Sequence, residues 1–163
     1  MIRIGVNVKD KASGITGLVT GRYNMFNGCT QWEVQPLPKP GETDIPKGWR
    51  IDGFTLEVLD DGIVDMLPPE DTSVKVKIGD RVKDTISLFT GIAVERFTSQ
   101  NGCVCFLVTA RDRVNQDGLP PKVWVDHKAL EVTRDTPLAA SPTSKTGAPS
   151  RVSDASSRVS HRS

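Results

Sequence analysis

Between Cys29 and Val34 the side chains alternate strictly, with Thr30, Trp32 and Val34 on one side of an extended backbone and Cys29, Gln31 and Glu33 on the other. The beat returns along Cys103–Val108, where Val104, Phe106 and Val108 oppose Cys103, Cys105 and Leu107. The bulky apolar set predicts the interior, and Gln31 and Glu33 mark the exterior. All three cysteines are therefore expected to point outward.

Similar short runs, rich in Val, Ile, Thr and aromatic residues and broken by Gly, Asn and Pro, fill the chain up to Arg134. They predict strands near Gly5–Lys9, Ile15–Met25, Cys29–Leu37, Trp49–Ile51 and Leu56–Leu59. A second set is expected near Asp80–Lys83, Phe89–Thr98, Cys103–Arg111, Val123–Val125 and Leu130–Thr133. Asn27-Gly28 and Asn101-Gly102 lie between apolar runs, where a tight hairpin needs residues that tolerate positive φ. No stretch sustains an apolar period of 3.6 residues with caps, so little helix is expected.

The two sets are one set repeated. Sliding Ile4–Val58 onto Ile78–Val132 without a gap aligns 18 identical residues in 55 positions. Among them are Val8/Val82, Asp10/Asp84, Gly17/Gly91, Arg22/Arg96, Asn27/Asn101, Cys29/Cys103 and Leu56/Leu130. An internal duplication changes the reading of length, because each copy of about 60 residues is near the lower limit for a self-sufficient core. The copies are expected to lean on each other or on a partner. The predicted fold is all-β, with two tandem small SH3-like β-barrels at 1–59 and 75–134. Between them, 60–74 is an acidic, Pro-containing linker, read as a solvated connection or as a strap against a basic partner. Residues 135–163 are rich in Ser, Thr and Pro with scattered Arg, and are expected to be disordered alone or ordered by a partner.

Net charge is +1, so no global field favours nucleic acid or a membrane. The N-terminus lacks the apolar region of a signal peptide, and no apolar run approaches bilayer length. A soluble protein made in a cytosol is expected.

Candidate chemistry is sparse. Histidines occur at 127 and 161. His127 follows Asp126, but neighbouring strand residues face opposite ways and do not form an acid–base couple in place. A nucleophile–base pairing of Cys103 or Cys105 with His127 is sterically conceivable across a barrel and has no supporting motif. Neither a phosphate-binding glycine loop nor HExxH is present, and Cys103-x-Cys105 lacks the usual metal-ligand spacing. No catalytic residue, metal, cofactor or small-molecule substrate is predicted. Asp52 and Asp126 are expected to bond local backbone at a turn. Arg22 and Arg96 are expected either to pair with Asp10/Asp84 or Glu57/Glu131, or to grip an acidic partner. A methyl-lysine cage needs clustered rings, and three Trp, one Tyr and five Phe shared between two cores do not predict one. Arg22-Tyr23, Trp49-Arg50 and Arg96-Phe97 give a weak nucleic-acid signal that near-neutral charge opposes.

Copy one, VKDKASGITGLVTGRYNMFNGCTQWEVQP closing with IDGFTLEV, resembles a module of small, largely uncharacterised proteins of tailed bacteriophages. Those proteins usually carry the module once, and copy two lacks its second glycine. The resemblance implies a phage origin and a non-enzymatic part. It makes a virion structural protein the leading expectation: capsid decoration or linking, bound to major or minor capsid proteins. A neck, tail or baseplate component is the alternative, as is an early protein that inhibits a host factor. An odd number of outward thiols leaves Cys29, Cys103 and Cys105 as candidates for intermolecular disulfides. Candidate partner contacts are Arg22, Arg96, Arg151, Arg158 and Arg162.

Overall fold

Ten strands are laid down in chain order in a computed structural model that describes residues 1–134. Copy one contributes β1 (Asn7–Asp10), β2 (Thr16–Met25), β3 (Thr30–Pro36), β4 (Trp49–Asp52) and β5 (Leu56–Asp60). Copy two contributes β6 (Arg81–Asp84), β7 (Thr90–Ser99), β8 (Val104–Thr109), β9 (Lys122–Asp126) and β10 (Leu130–Arg134). The helices among the described residues are single 3-10 turns at Gly53–Thr55, Val64–Met66 and His127–Ala129. None is long and apolar enough to cross a membrane. All pairings are antiparallel, and all ten strands join one sheet.

Within each copy the alternation read from sequence sets which side chains are covered. Val6, Val8, Val19, Trp32, Val34 and Leu56 form one buried cluster. Val76, Val82, Ala93, Val104, Phe106, Val108 and Val125 form the other. The hairpin between β2 and β3 is a three-residue loop: Met25 N–H donates to Cys29 O at 2.9 Å, and Gly28 N–H to Met25 O at 2.9 Å. Gly28 alone takes the left-handed conformation, at φ 84°. Asn27 instead uses its side-chain oxygen, which accepts from Cys29 N–H at 3.0 Å. The Asn-Gly pair thus divides its labour rather than supplying two positive-φ residues.

Asp10 explains the Asp–x–x–Ser spacing after β1. Its carboxylate accepts from the Ser13 hydroxyl at 2.5 Å and from Ser13 N–H at 3.1 Å, closing the turn into β2. Asp84 and Ser87 repeat the contact at 2.5 Å. The Ser13 hydroxyl, then the Thr55 side chain, holds the Asp10 carboxyl down to about 2. Asp84 is lowered by Ser87 and the Ile86 N–H.

The copies differ in this turn. Gly14 has φ 77°, whereas its equivalent, Leu88, is forced to φ 62° and exposes its side chain. A left-handed leucine costs about 1–2 kcal/mol, of which the greater freedom of an unfolded glycine would return roughly half. Leu88→Gly is expected to raise stability by about 0.5–1 kcal/mol, or roughly 1–4 °C in Tm. A denaturation midpoint that stays put or falls would mean that the Leu88 side chain makes compensating contacts.

Candidate functional site

The feature that sequence reading did not supply is the seam between the copies. β2 and β7 each run ten residues, while β1 and β6 run four. The first half of β2 pairs with β1 and the second half turns away. A bulge produces the turn: the β2–β3 register shifts between Val19 and Gly21, and the β7–β8 register shifts between Ala93 and Glu95. The freed halves then pair with each other, Gly21↔Ser99, Arg22↔Thr98, Tyr23↔Phe97, Asn24↔Arg96 and Met25↔Glu95. Tyr23 and Phe97 are equivalent positions of the duplication, so the seam has an approximate two-fold axis between them. The bulge carbonyls complete it: Gln100 N–H donates to Thr20 O at 2.8 Å and Phe26 N–H to Val94 O at 2.9 Å.

One side of the seam carries Arg22 and Arg96, and a strap from Asp61 to Val74 crosses it. Arg22 Nη2 reaches Glu70 Oε2 at 3.3 Å, and Arg96 Nη2 bonds the other oxygen of the same carboxylate. The expected pairings with Asp10/Asp84 or Glu57/Glu131 are thereby corrected. Both guanidinium groups close on one acid of the strap, which is largely exposed yet tied to the chain's own arginines. The strap is anchored at both ends. Ile63 N–H donates to Gly5 O at 2.8 Å, and Val64 packs on the first core. Asp71 Oδ2 meets His127 Nε2 at 3.0 Å, with Lys128 Nζ at 3.6 Å. The partner of buried His127 is thus Asp71 of the strap, not Asp126. Asp126 caps its 3-10 turn through Lys128 N–H at 2.8 Å, as the turn reading expected. Asp52 departs from that reading and accepts from Gln31 Nε2 at 2.8 Å.

Asp71 is held below the usual carboxylate range by the Ser73 hydroxyl first, then the Ser73 N–H and His127. With Asp10 and Asp84 also lowered, acid should weaken the fold in a defined window. A carboxylate with a lowered folded-state pKa contributes fully above its unfolded value of about 4 and loses that contribution as pH falls toward the folded value. Denaturant midpoints are expected to drop between pH 4 and pH 2. Asp84→Asn should lower the midpoint at pH 7 and flatten this slope, and an unaltered slope would count against the assignment.

The other side of the seam faces solvent and is chemically different. The cross-strand row runs Asp52, Gln31, Tyr23, Phe97, Cys105, Asp126. At its centre Tyr23 and Phe97 lie with ring centroids 4.5 Å apart. Trp124, 43% exposed, stands edge-on to both rings, at 6.1 Å and 6.4 Å. From the first copy Arg50 places its guanidinium 4.1 Å above the Tyr23 centroid and pairs with the buried carboxylate of Glu95. Three rings are therefore clustered, contrary to the sequence expectation, because they come from both copies. Glu33, Asp52, Glu95 and Asp126 give this face more acid than Arg50 and Lys122 offset. Burial, then Glu33, raises the Tyr23 pKa.

All three cysteines are free thiols among the described residues. Cys29 and Cys103 are exposed where β3 and β8 begin, and Cys105 is half-buried on the outer face. Burial pushes the Cys105 thiol up, with Asp126 and Cys103 adding to the shift. Less of it is the reactive thiolate, so Cys29 and Cys103 are the accessible sulfurs. Cys103 and His127 line a common groove of about 370 Å³ beside Asp71. There the imidazole Nε2 is engaged by the strap. Arg151, Arg158 and Arg162 lie outside the described residues. Among the described residues no group of three or more His, Cys, Asp or Glu could hold a metal ion. Comparison of the chain with protein-family models, curated proteins and solved structures returned no match.

Proposed function

We propose that this chain is a non-enzymatic structural protein of a tailed-phage particle, a decoration or linking piece that binds larger shell subunits through protein–protein contacts. Its two copies are small SH3-like barrels. The strand order β5-β1-β2-β3-β4, the long bent second strand and the 3-10 turn between β4 and β5 support that description, and copy two repeats each feature.

The observation that carries the functional reading is the seam. Strand pairing and the Glu70 clamp lock two binding modules into one rigid body with a solvent-facing aromatic surface. A fixed relation between modules suits multivalent attachment, where the second contact is made at high effective concentration. The resemblance of the copy-one motif to phage modules supplies the context. Cys29 and Cys103, exposed beside the hairpins, can cross-link to neighbouring subunits once the particle leaves the reducing cytosol.

Mass spectrometry of purified particles, with non-reducing and reducing electrophoresis in parallel, tests this. The expected result is the chain in stoichiometric amount, part of it shifted above 17.8 kDa until reductant is added. Absence from the particle would overturn the structural role in favour of an early protein that binds a host factor. Presence only at the monomer mass would remove the cross-link and keep the scaffold.

A further inference from the structure

The outer face of the seam is symmetric in backbone and asymmetric in chemistry. Arg50 of the first copy is equivalent to Trp124 of the second, and the two reach the Tyr23–Phe97 pair from opposite sides. Arg50 therefore shows what the ring pair accepts: a guanidinium over an aromatic face with a carboxylate beside it. On the second copy's side that cation is replaced by an indole. Trp124 meets Phe97 at an interplanar angle of 73°, so the two rings form a corner rather than a stack. Asp126 lies on the same face, one strand along from Cys105 and two from Phe97, and is exposed. The second copy's side has no counterpart of Glu95, whose equivalent is Gly21, and its exposed carboxylate is Asp126, with no internal arginine over the Phe97 ring among the described residues.

We propose that the Phe97–Trp124 corner binds an arginine side chain presented by a partner protein, with Asp126 as its counter-charge. Charge complementarity selects this partner. The face carries more carboxylates than cations, which attracts a guanidinium and repels a phosphate backbone. Arginine is preferred to lysine because its plane stacks on a ring while its edge donates to a carboxylate. The inference rests on reading the chain as a protein-binding scaffold and names the chemistry its seam takes.

The test uses the full chain and a blocked peptide of alternating glycine and arginine, with the same peptide carrying uncharged citrulline as control. Indole N–H resonances and tryptophan emission are followed through a titration. The arginine peptide is expected to shift the Trp124 indole saturably, and the citrulline peptide to bind about ten-fold more weakly. Trp124→Ala should abolish the saturable emission change and weaken binding, read on backbone amides around Phe97, by a similar factor, and Trp124→Phe should recover part of it. Arg50→Gln, which uncovers the Tyr23 ring and Glu95, should tighten binding several-fold in material whose spectrum shows it folded. Equal binding of the two peptides, or Trp124→Ala with unchanged affinity, would overturn the proposal. Particles that contain the chain while the titration fails would sink this inference alone. A successful titration with particles lacking the chain would sink only the virion assignment.

Discussion

Phe106→Ala is expected to cost about 3–5 kcal/mol and to weaken both copies, although the residue belongs to one. Phe106 is fully buried in the second core, with Val104, Val108 and Val125 around it. Removing its ring leaves a cavity in a unit small enough that the loss is a large fraction of its stability. The second copy pairs its longest strand, β7, with β2 of the first copy, so the damage should not stay local. Trp32 lies in the first core and reports on it. In a background where Trp49 and Trp124 are Phe, Trp32 emission should follow the lowered midpoint of the whole chain. An unaltered Trp32 transition beside a lowered far-ultraviolet one would mean that the copies unfold separately.

The second large effect is expected at Gly21, in the seam itself. A Cβ there would lie 2.3 Å from Phe97 Cε2 and 2.6 Å from Cζ, well inside contact distance. Gly21→Ala should therefore cost about 1–3 kcal/mol, because the Phe97 ring must leave its place against Tyr23. The signature of this cause is coupling. Combined with Phe97→Leu, the alanine should cost much less than it does alone. Additive penalties in the double mutant would place the strain in the backbone rather than in the ring.

The strands were legible because burial on one face imposes a period of two. Trp32, Val34, Phe106 and Val108 announce their side of the sheet by size alone, and the partly polar face follows. The duplication supplied a second reading of each element. Contacts between the copies have no such local signature. Arg22 and Arg96 are 48 and 26 residues from Glu70, and nothing in their neighbourhood distinguishes that acid from Asp10 or Glu57. The ring cluster was hidden for a related reason: Tyr23 belongs to one copy, Phe97 and Trp124 to the other, so neither half contains a cage. One signal was present. A ten-residue strand beside a four-residue neighbour leaves half an edge without hydrogen-bond partners, and such an edge must be covered.

The near-dyad through Tyr23 and Phe97 has a consequence for how this surface can change. In a homodimer every substitution appears on both sides of the axis, so an arginine on one flank dictates an arginine on the other. Here the two flanks are encoded at separate positions, and position 50 carries a cation while position 124 carries an indole. Fusion also removes the concentration dependence of the association, since neither half can be lost by dilution. The geometry of a pair is retained, and each member is free to diverge.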